Sequence, residues 1–204
     1  MSLSQDALTS LEAVKRYLSI SSDKHDELIT SLIEAVSAAF NAYTGRKLAA
    51  RDYSPDPASP AYDPDNAVLD GSGHAELLLP QYPVQQVGSL ELDGRPLPPA
   101  GQEGTSGWRL ERAAGVLTRL DGVFPRGRGN LRIAYRAGFE PIPPDLAQAA
   151  LEQTAMRFQE SAAGHGRLGL SARRLPDGSL SYSTRPLLPQ VRQVLDAYRN
   201  RSLL

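Results

Sequence analysis

From Asp23 to Gly45 the apolar residues fall at helical spacing without a break, and over roughly the next hundred residues they never do so again. Leu28, Ile29, Leu32, Ile33, Val36, Ala39, Phe40 and Tyr43 stripe one face, the signature of an amphipathic helix. Ser21-Ser22-Asp23 offers a cap, Asp23, Asp26 and Glu27 complement the positive dipole end, and Gly45 suits the stop. A helix over 23–44 is about 30 Å long at 1.5 Å per residue. A shorter helix over 9–19 precedes it. Thr9-Ser10-Leu11-Glu12 has the spacing of a capping box, and Leu11, Val14 and Leu18 share a face.

Beyond Gly45 the pattern changes. Pro55, Pro57, Pro60 and Pro64 make 54–66 an irregular excursion. Short β-like runs follow at 75–79, 87–92, 108–111, 116–120 and 131–135, each bounded by turn residues. Asp93-Gly94 and Ala114-Gly115 read as hairpin turns. The stretch from about 50 to 138 is therefore expected as a small antiparallel sheet inserted between helices.

Helical signals resume at Pro143-Pro144-Asp145, with Pro144 suited to the first helical position. Ala147, Ala150, Leu151, Thr154, Ala155 and Phe158 stripe a helix over 144–162. Leu170–Leu175 and Ser179–Thr184 flank a Pro176-Asp177-Gly178 turn, as in a hairpin or extended arm, and Val191, Val194, Leu195 and Tyr198 mark a last short helix. The expected organisation is a single domain over 1–164, followed by an arm and short helix over 165–204. The two N-terminal helices should pack on the helix that begins near Pro144. Leu32 and Ile33 are both expected in that core, with Glu34 on the polar face.

The 204 residues, 41% hydrophobic and 22% charged, suffice for a real core and are too apolar for a disordered chain. A net charge of −1 projects no global field toward nucleic acid or an anionic membrane. The distribution says more than the sum. Residues 51–98 carry eight carboxylates, Asp63, Asp65 and Asp70 among them, against two arginines. Residues 163–204 carry seven arginines, including Arg167, Arg173, Arg174 and Arg185, against two aspartates. Oppositely charged segments let copies of a chain associate head to tail, although solvated faces give the same pattern.

No catalytic constellation emerges. His25, His74 and His165 lie far apart, without carboxylates at ligand spacing, and read as structural or exposed histidines. Asp63-Pro64-Asp65-Asn66 resembles the start of a calcium loop, but the required glycine falls at Val68 and no glutamate stands at Gly73–His74. A turn is the better reading. Arg126-Gly127-Arg128-Gly129-Asn130 lacks the lysine and helix of a phosphate loop and reads as a mobile turn between strands, with Arg126 and Arg128 able to touch a phosphate backbone. Tyr17, Phe40, Tyr43 and Phe158 fall on apolar helix faces and are expected in the core, while Trp108 suits either core or interface. Cysteine is absent, which excludes disulfides and thiolate chemistry and fits a reducing compartment. No window approaches the roughly 20 apolar residues of a membrane span, and Met-Ser-Leu-Ser-Gln-Asp has no signal-peptide character. No enzyme, cofactor, metal or membrane partner is expected, and synthesis is expected in the cytoplasm.

The order of certain segments carries a further reading. Val14-Lys15-Arg16-Tyr17-Leu18 leads into Asp26–Val36, which closes with Tyr43-Thr44-Gly45-Arg46-Lys47-Leu48. Downstream come Tyr82-Pro83-Val84, then Leu92-Asp93-Gly94, then Tyr135-Arg136-Ala137-Gly138-Phe139 and Ile142-Pro143-Pro144-Asp145-Leu146. Over roughly residues 8–160 this linear pattern resembles the head–tail connector (adaptor, head-completion) family of tailed bacteriophages and prophages, in the longer form with a β insertion.

The resemblance implies a mainly α member of the α+β class, a bundle of about four helices with the small sheet between the second and third. It implies a non-enzymatic virion protein that forms a ring, twelve-fold by resemblance, below the portal. Such a ring completes the DNA-filled head, joins it to the tail through a tail-completion protein, and passes double-stranded DNA without binding it specifically. The location implied is the virion, and the host cytoplasm during assembly. Arg167, Arg173, Arg174, Arg185, Asp63, Asp65 and Asp70 are the candidate assembly contacts, and Arg126 and Arg128 the candidate lumen-facing loop. The competing class is a non-sequence-specific DNA-binding module that uses the arginine-rich C-terminal segment.

Overall fold

The structure, a computed structural model, describes residues 2–101, 104–161, 163, 172–175, 178–181 and 187–200. They fall into two compact units, one from Met1–Gly45 with Ile142–Asn200 and one from Arg46–Pro141.

The first unit is helical. Its opening helix α1 (Leu11–Tyr17) is capped by Ser10, whose hydroxyl accepts the Ala13 N–H at 3.1 Å. The cap is one residue later than the Thr9 expected, which leaves Glu12 a position too early to reach back. Helix α2 (Asp26–Thr44) starts at His25 without a side-chain cap and stops at Gly45, at φ +71°. Asp23, expected at that cap, is instead paired with Lys15 of α1 at 2.7 Å. Past the second unit come α4 (Pro144–Glu160) and α5 (Pro189–Ala197). Both α1 and α2 pack against α4. Val14, Ile29, Ile33 and Phe158 form the buried centre, each such side chain contributing about 1.5–3 kcal/mol of hydrophobic stabilisation. Ile33 is wholly buried, whereas Leu32 is only half-buried. Glu34 is not idle on a polar face, because its carboxylate accepts the Ser4 N–H and hydroxyl, each at 2.6 Å. Tyr17 is 53% exposed, outside the core where its spacing placed it.

The second unit corrects the expectation of a mainly α bundle with a small sheet. The described residues hold five helices and ten strands, a mixed α+β fold. Strand β8 (Gly127–Ala137) organises the larger sheet. It pairs antiparallel with β1 (Arg51–Tyr53), β2 (Val68–Gly71) and β4 (Val84–Leu92), and β5 (Arg95–Pro96) continues from β4. A three-stranded sheet joins β3 (Glu76–Leu78), β7 (Val116–Arg119) and β6 (Trp108–Glu111) in that order. Leu131, Ile133, Tyr135 and Ala137 alternate inward along β8, with Arg132 and Arg136 between them. That two-residue period puts one face in the core and leaves cations on the other. Leu77, Leu79, Leu117 and Phe124 complete the core of this unit, with Ala67 of the short helix before β2. Trp108 belongs to it, its indole N–H donating to the Leu97 carbonyl at 2.9 Å.

Both hairpin turns form as expected. Asp93 and Gly94 take φ +51° and +73° between β4 and β5, as a two-residue turn with left-handed residues requires, and Gly115 takes φ +69° between β6 and β7. The excursion at 54–66 ends in a short helix, α3 (Pro64–Ala67). In the C-terminal region β9 (Ala172–Leu175) pairs antiparallel with β10 (Gly178–Ser181), and the turn expected at Pro176-Asp177 lies outside the described residues.

Candidate functional site

The second unit gathers several of the expected charges at one end of β2 and β8. Gly71 lies opposite Gly127 in the register. The Asp70 carboxylate accepts the Gly129 N–H at 2.7 Å, and Asn130 accepts the Gly71 N–H at 2.8 Å while donating to the Pro125 carbonyl at 3.0 Å. Residues 127–130 are therefore held as the start of a strand, not as the mobile turn expected. Arg126 and Arg128 are exposed there. Asp93, at the neighbouring hairpin, donates its N–H to the Asn130 carbonyl at 2.9 Å. This tip presents both signs of charge.

Asp63 and Asp65 sit on α3. Asp63 caps it, accepting the Asn66 N–H at 3.2 Å and the Asn66 side-chain amide at 3.0 Å. The calcium-loop likeness of that sequence is thus a helix start. Asp65 is exposed in the first turn, with no hydrogen bond or ion pair among the described residues. Arg173 and Arg174 lie on β9, opposite Leu180 and Ser179 of β10. Arg167, Arg185 and His165 lie outside the described residues. The structure thus joins Asp70, an expected assembly contact, to Gly129, the residue after the expected lumen-facing Arg128.

In the first unit, an open groove of about 650 Å³ runs along α2. Leu32, Val36, Ala39 and Phe40 form one wall and Gln153 and Arg157 of α4 the other, and Ser161 and Leu187 stand at its edge. Ala35, Ala39 and Ala42 are exposed along α2. Gln153 is buried and accepts the Leu188 N–H at 3.0 Å, which ties the entry of α5 to α4. Near the C-terminal end of α2, the Tyr43 hydroxyl donates to Asp196 at 2.6 Å and accepts from Arg192 Nε at 3.2 Å. These partners raise the Arg192 pKa, the bond to Tyr43 contributing most. The helix periodicity identified the residues of this groove as a stripe. It did not show that the stripe is wider than the core it serves.

Sequence reasoning missed a polar cluster in the second unit. Arg46 is buried beside Tyr82, and Gln81 accepts the Lys47 N–H at 2.8 Å while donating to Asn66 at 3.0 Å. The Tyr135 hydroxyl, buried and hydrogen-bonded to the Asn66 carbonyl, has its pKa raised by desolvation. This cluster braces the sheet. Among the described residues no group of three or more His, Cys, Asp or Glu side chains is arranged to hold a metal, and no helix is long and apolar enough to cross a membrane.

The model of the family described as "Head completion protein" matches residues 7–165. Among solved structures, the chain is similar to a protein in the neck of an empty GTA particle computed with C6 symmetry, at 20% identity and a TM-score of 0.58. It is also similar to one in the neck of a native GTA particle computed with C12 symmetry, at 20% identity and a TM-score of 0.53. Each match covers 98% of this chain and 92% of the other. These likenesses show a shared fold. No curated protein matches the chain.

Proposed function

Because the chain belongs to the head completion protein family, structural proteins of the phage head–tail connector, we propose that its copies form a ring below the portal. The ring completes the DNA-filled head and joins it to the tail. The observation that carries this reading is the family match, which runs through both units rather than through one borrowed module. The twelve-fold ring, the portal and tail-completion partners, and residence in the virion all belong to the same proposal.

Arg126 and Arg128 face the lumen in this reading. Asp70 and Asp93 stand beside them, and the mixed tip suits a wall past which an anionic duplex must slide. A uniformly basic wall would grip phosphate and resist passage. The arm arginines Arg167, Arg173, Arg174 and Arg185 serve contacts between copies or with the portal. Of the three acidic candidates, Asp65 is the best placed for such a contact, since Asp63 and Asp70 have duties within the chain.

The test is complementation. Purified protein added to DNA-filled heads that lack it should stop DNA leakage and permit tail attachment, and electron microscopy should show added density at the portal vertex. Heads that neither bind the protein nor retain DNA would overturn the reading. Duplex affinity of the free protein should be no better than the roughly 10⁻⁴–10⁻⁶ M of non-specific binders at physiological salt. Nanomolar affinity without head binding would favour the arginine-rich DNA-binding module instead.

A further inference from the structure

The groove on α2 is an apolar surface that the described residues of the chain leave open. Its α2 wall is Leu32, Val36, Ala39 and Phe40, and its volume is about 650 Å³. Ser161 and Leu187, which stand at its edge, are also the residues from which the chain departs into the arm and to which it returns. Two facts about the arm complement this surface. Strands β9 and β10 pair with each other and with no other described strand, and a two-stranded ribbon alone is marginal in water. The arm also carries apolar residues, Leu168, Leu170, Leu175 and Leu180, among four arginines and one aspartate.

We propose that the groove on α2 receives the β9–β10 arm of a second copy of this chain. The inference rests on the ring reading above and names the surface that makes the ring. From Ser161 to Ala172 an extended chain reaches up to about 36 Å. The groove, from Leu32 to Tyr43 along a helix, is only about 16 Å long. The arm can therefore pass beyond its own groove to the next subunit. One chain then carries two different, complementary surfaces, as a head-to-tail contact that closes into a ring requires. The leucines of the arm fill the apolar floor.

The absence of cysteine makes the test clean. Ala39→Cys and Leu180→Cys are made singly and together in the full chain and treated with a short bis-maleimide, both in concentrated solution and on heads. A mixture of the two single variants should yield a cross-linked dimer, and the double variant a ladder of higher species. Internally cross-linked monomer alone would place the arm on its own chain and overturn the proposal, as would no cross-link in either setting. Separately, Ala39→Arg, at an exposed position, should leave the thermal midpoint unchanged yet lower oligomer formation and head complementation at least tenfold. Normal assembly of Ala39→Arg would overturn the groove proposal while the head-completion reading stood. Failure of the unmodified protein on heads, with cross-linking in solution intact, would do the reverse.

Discussion

The guanidinium of Arg46 lies 4.2 Å from the centroid of the Tyr82 ring and donates from Nη1 to the Tyr82 carbonyl at 2.8 Å. The Phe139 ring lies 5.5 Å away on the same cation. A buried cation held by rings and a carbonyl relies on the planar shape of arginine. Arg46→Met should therefore destabilise the protein by about 2–4 kcal/mol, as judged from losing a charged hydrogen bond and a desolvated cation–π contact. Arg46→Lys should recover less than half of that loss. Urea unfolding monitored by tryptophan fluorescence reads it directly, since Trp108 lies in the same unit. A lysine variant as stable as the parent would show that charge alone is what the site requires.

Ile33 and Leu32 separate packing from assembly. Ile33 is fully buried among Val14, Ile29 and Phe158, so Ile33→Ala should cost about 2–5 kcal/mol. Leu32 is half-buried on the groove, and Leu32→Ala should cost about 1 kcal/mol or less. Comparable losses at both positions in thermal denaturation would mean that the groove is part of the core.

These two residues also show how far the sequence could be read. Periodicity placed α2 correctly and its stripe as a whole, but a stripe wider than the core gives no sign of which edge is left open. The β unit was harder to read. Its central strand β8 begins Gly127-Arg128-Gly129-Asn130, so those residues looked like loop and Leu131–Tyr135 like an isolated short strand. Strands β1 and β2 are three and four residues long and owe their conformation to pairing with β8, a long-range effect that no local pattern reports. Arg46 stands in one of the segments that carry the resemblance, but nothing local shows that it is buried, because its partners Tyr82 and Phe139 are distant in sequence. The hairpins were legible for the opposite reason: their turn residues are specified locally. Of the candidate site residues, the charged character was legible. Whether a given carboxylate was engaged in a cap, as at Asp63, or with a backbone amide, as at Asp70, was not.

Gly138 has a backbone that only glycine tolerates well. Its φ is +114°, and a Cβ there would stand 2.5 Å from the Ala49 carbonyl oxygen. Strain of this kind costs about 1–3 kcal/mol before any steric clash with backbone is added. Gly138→Ala should accordingly lose at least about 2 kcal/mol. Gly94→Ala, at φ +73° with open space around it, should lose about 1 kcal/mol. The order of the two denaturation midpoints checks the argument, and Gly94→Ala as the more damaging change would refute it.

Lys15 joins α1 to the start of α2 through Asp23 and Asp26, each at 2.7 Å. Hydrogen bonding to Asp23 and then Asp26 raises the Lys15 pKa, and the bond to Lys15 lowers that of Asp23. The two shifts act at opposite ends of the pH scale. The lowered Asp23 value gives stability that is present above the ordinary carboxylate range and lost as pH falls through the folded value. The raised Lys15 value gives stability that is present below the ordinary lysine range and lost as pH rises through the folded value. Between those limits the contribution is flat. The difference in thermal midpoint between the parent and Lys15→Met should therefore hold steady from about pH 5 to pH 9, given ordinary values near 3.9 and 10.4. It should shrink below about pH 4, and salt should reduce it across the plateau, because the pair borders solvent. A difference that stayed unchanged as pH fell well below about 4 would show that the lysine stem, rather than its charge, does the joining.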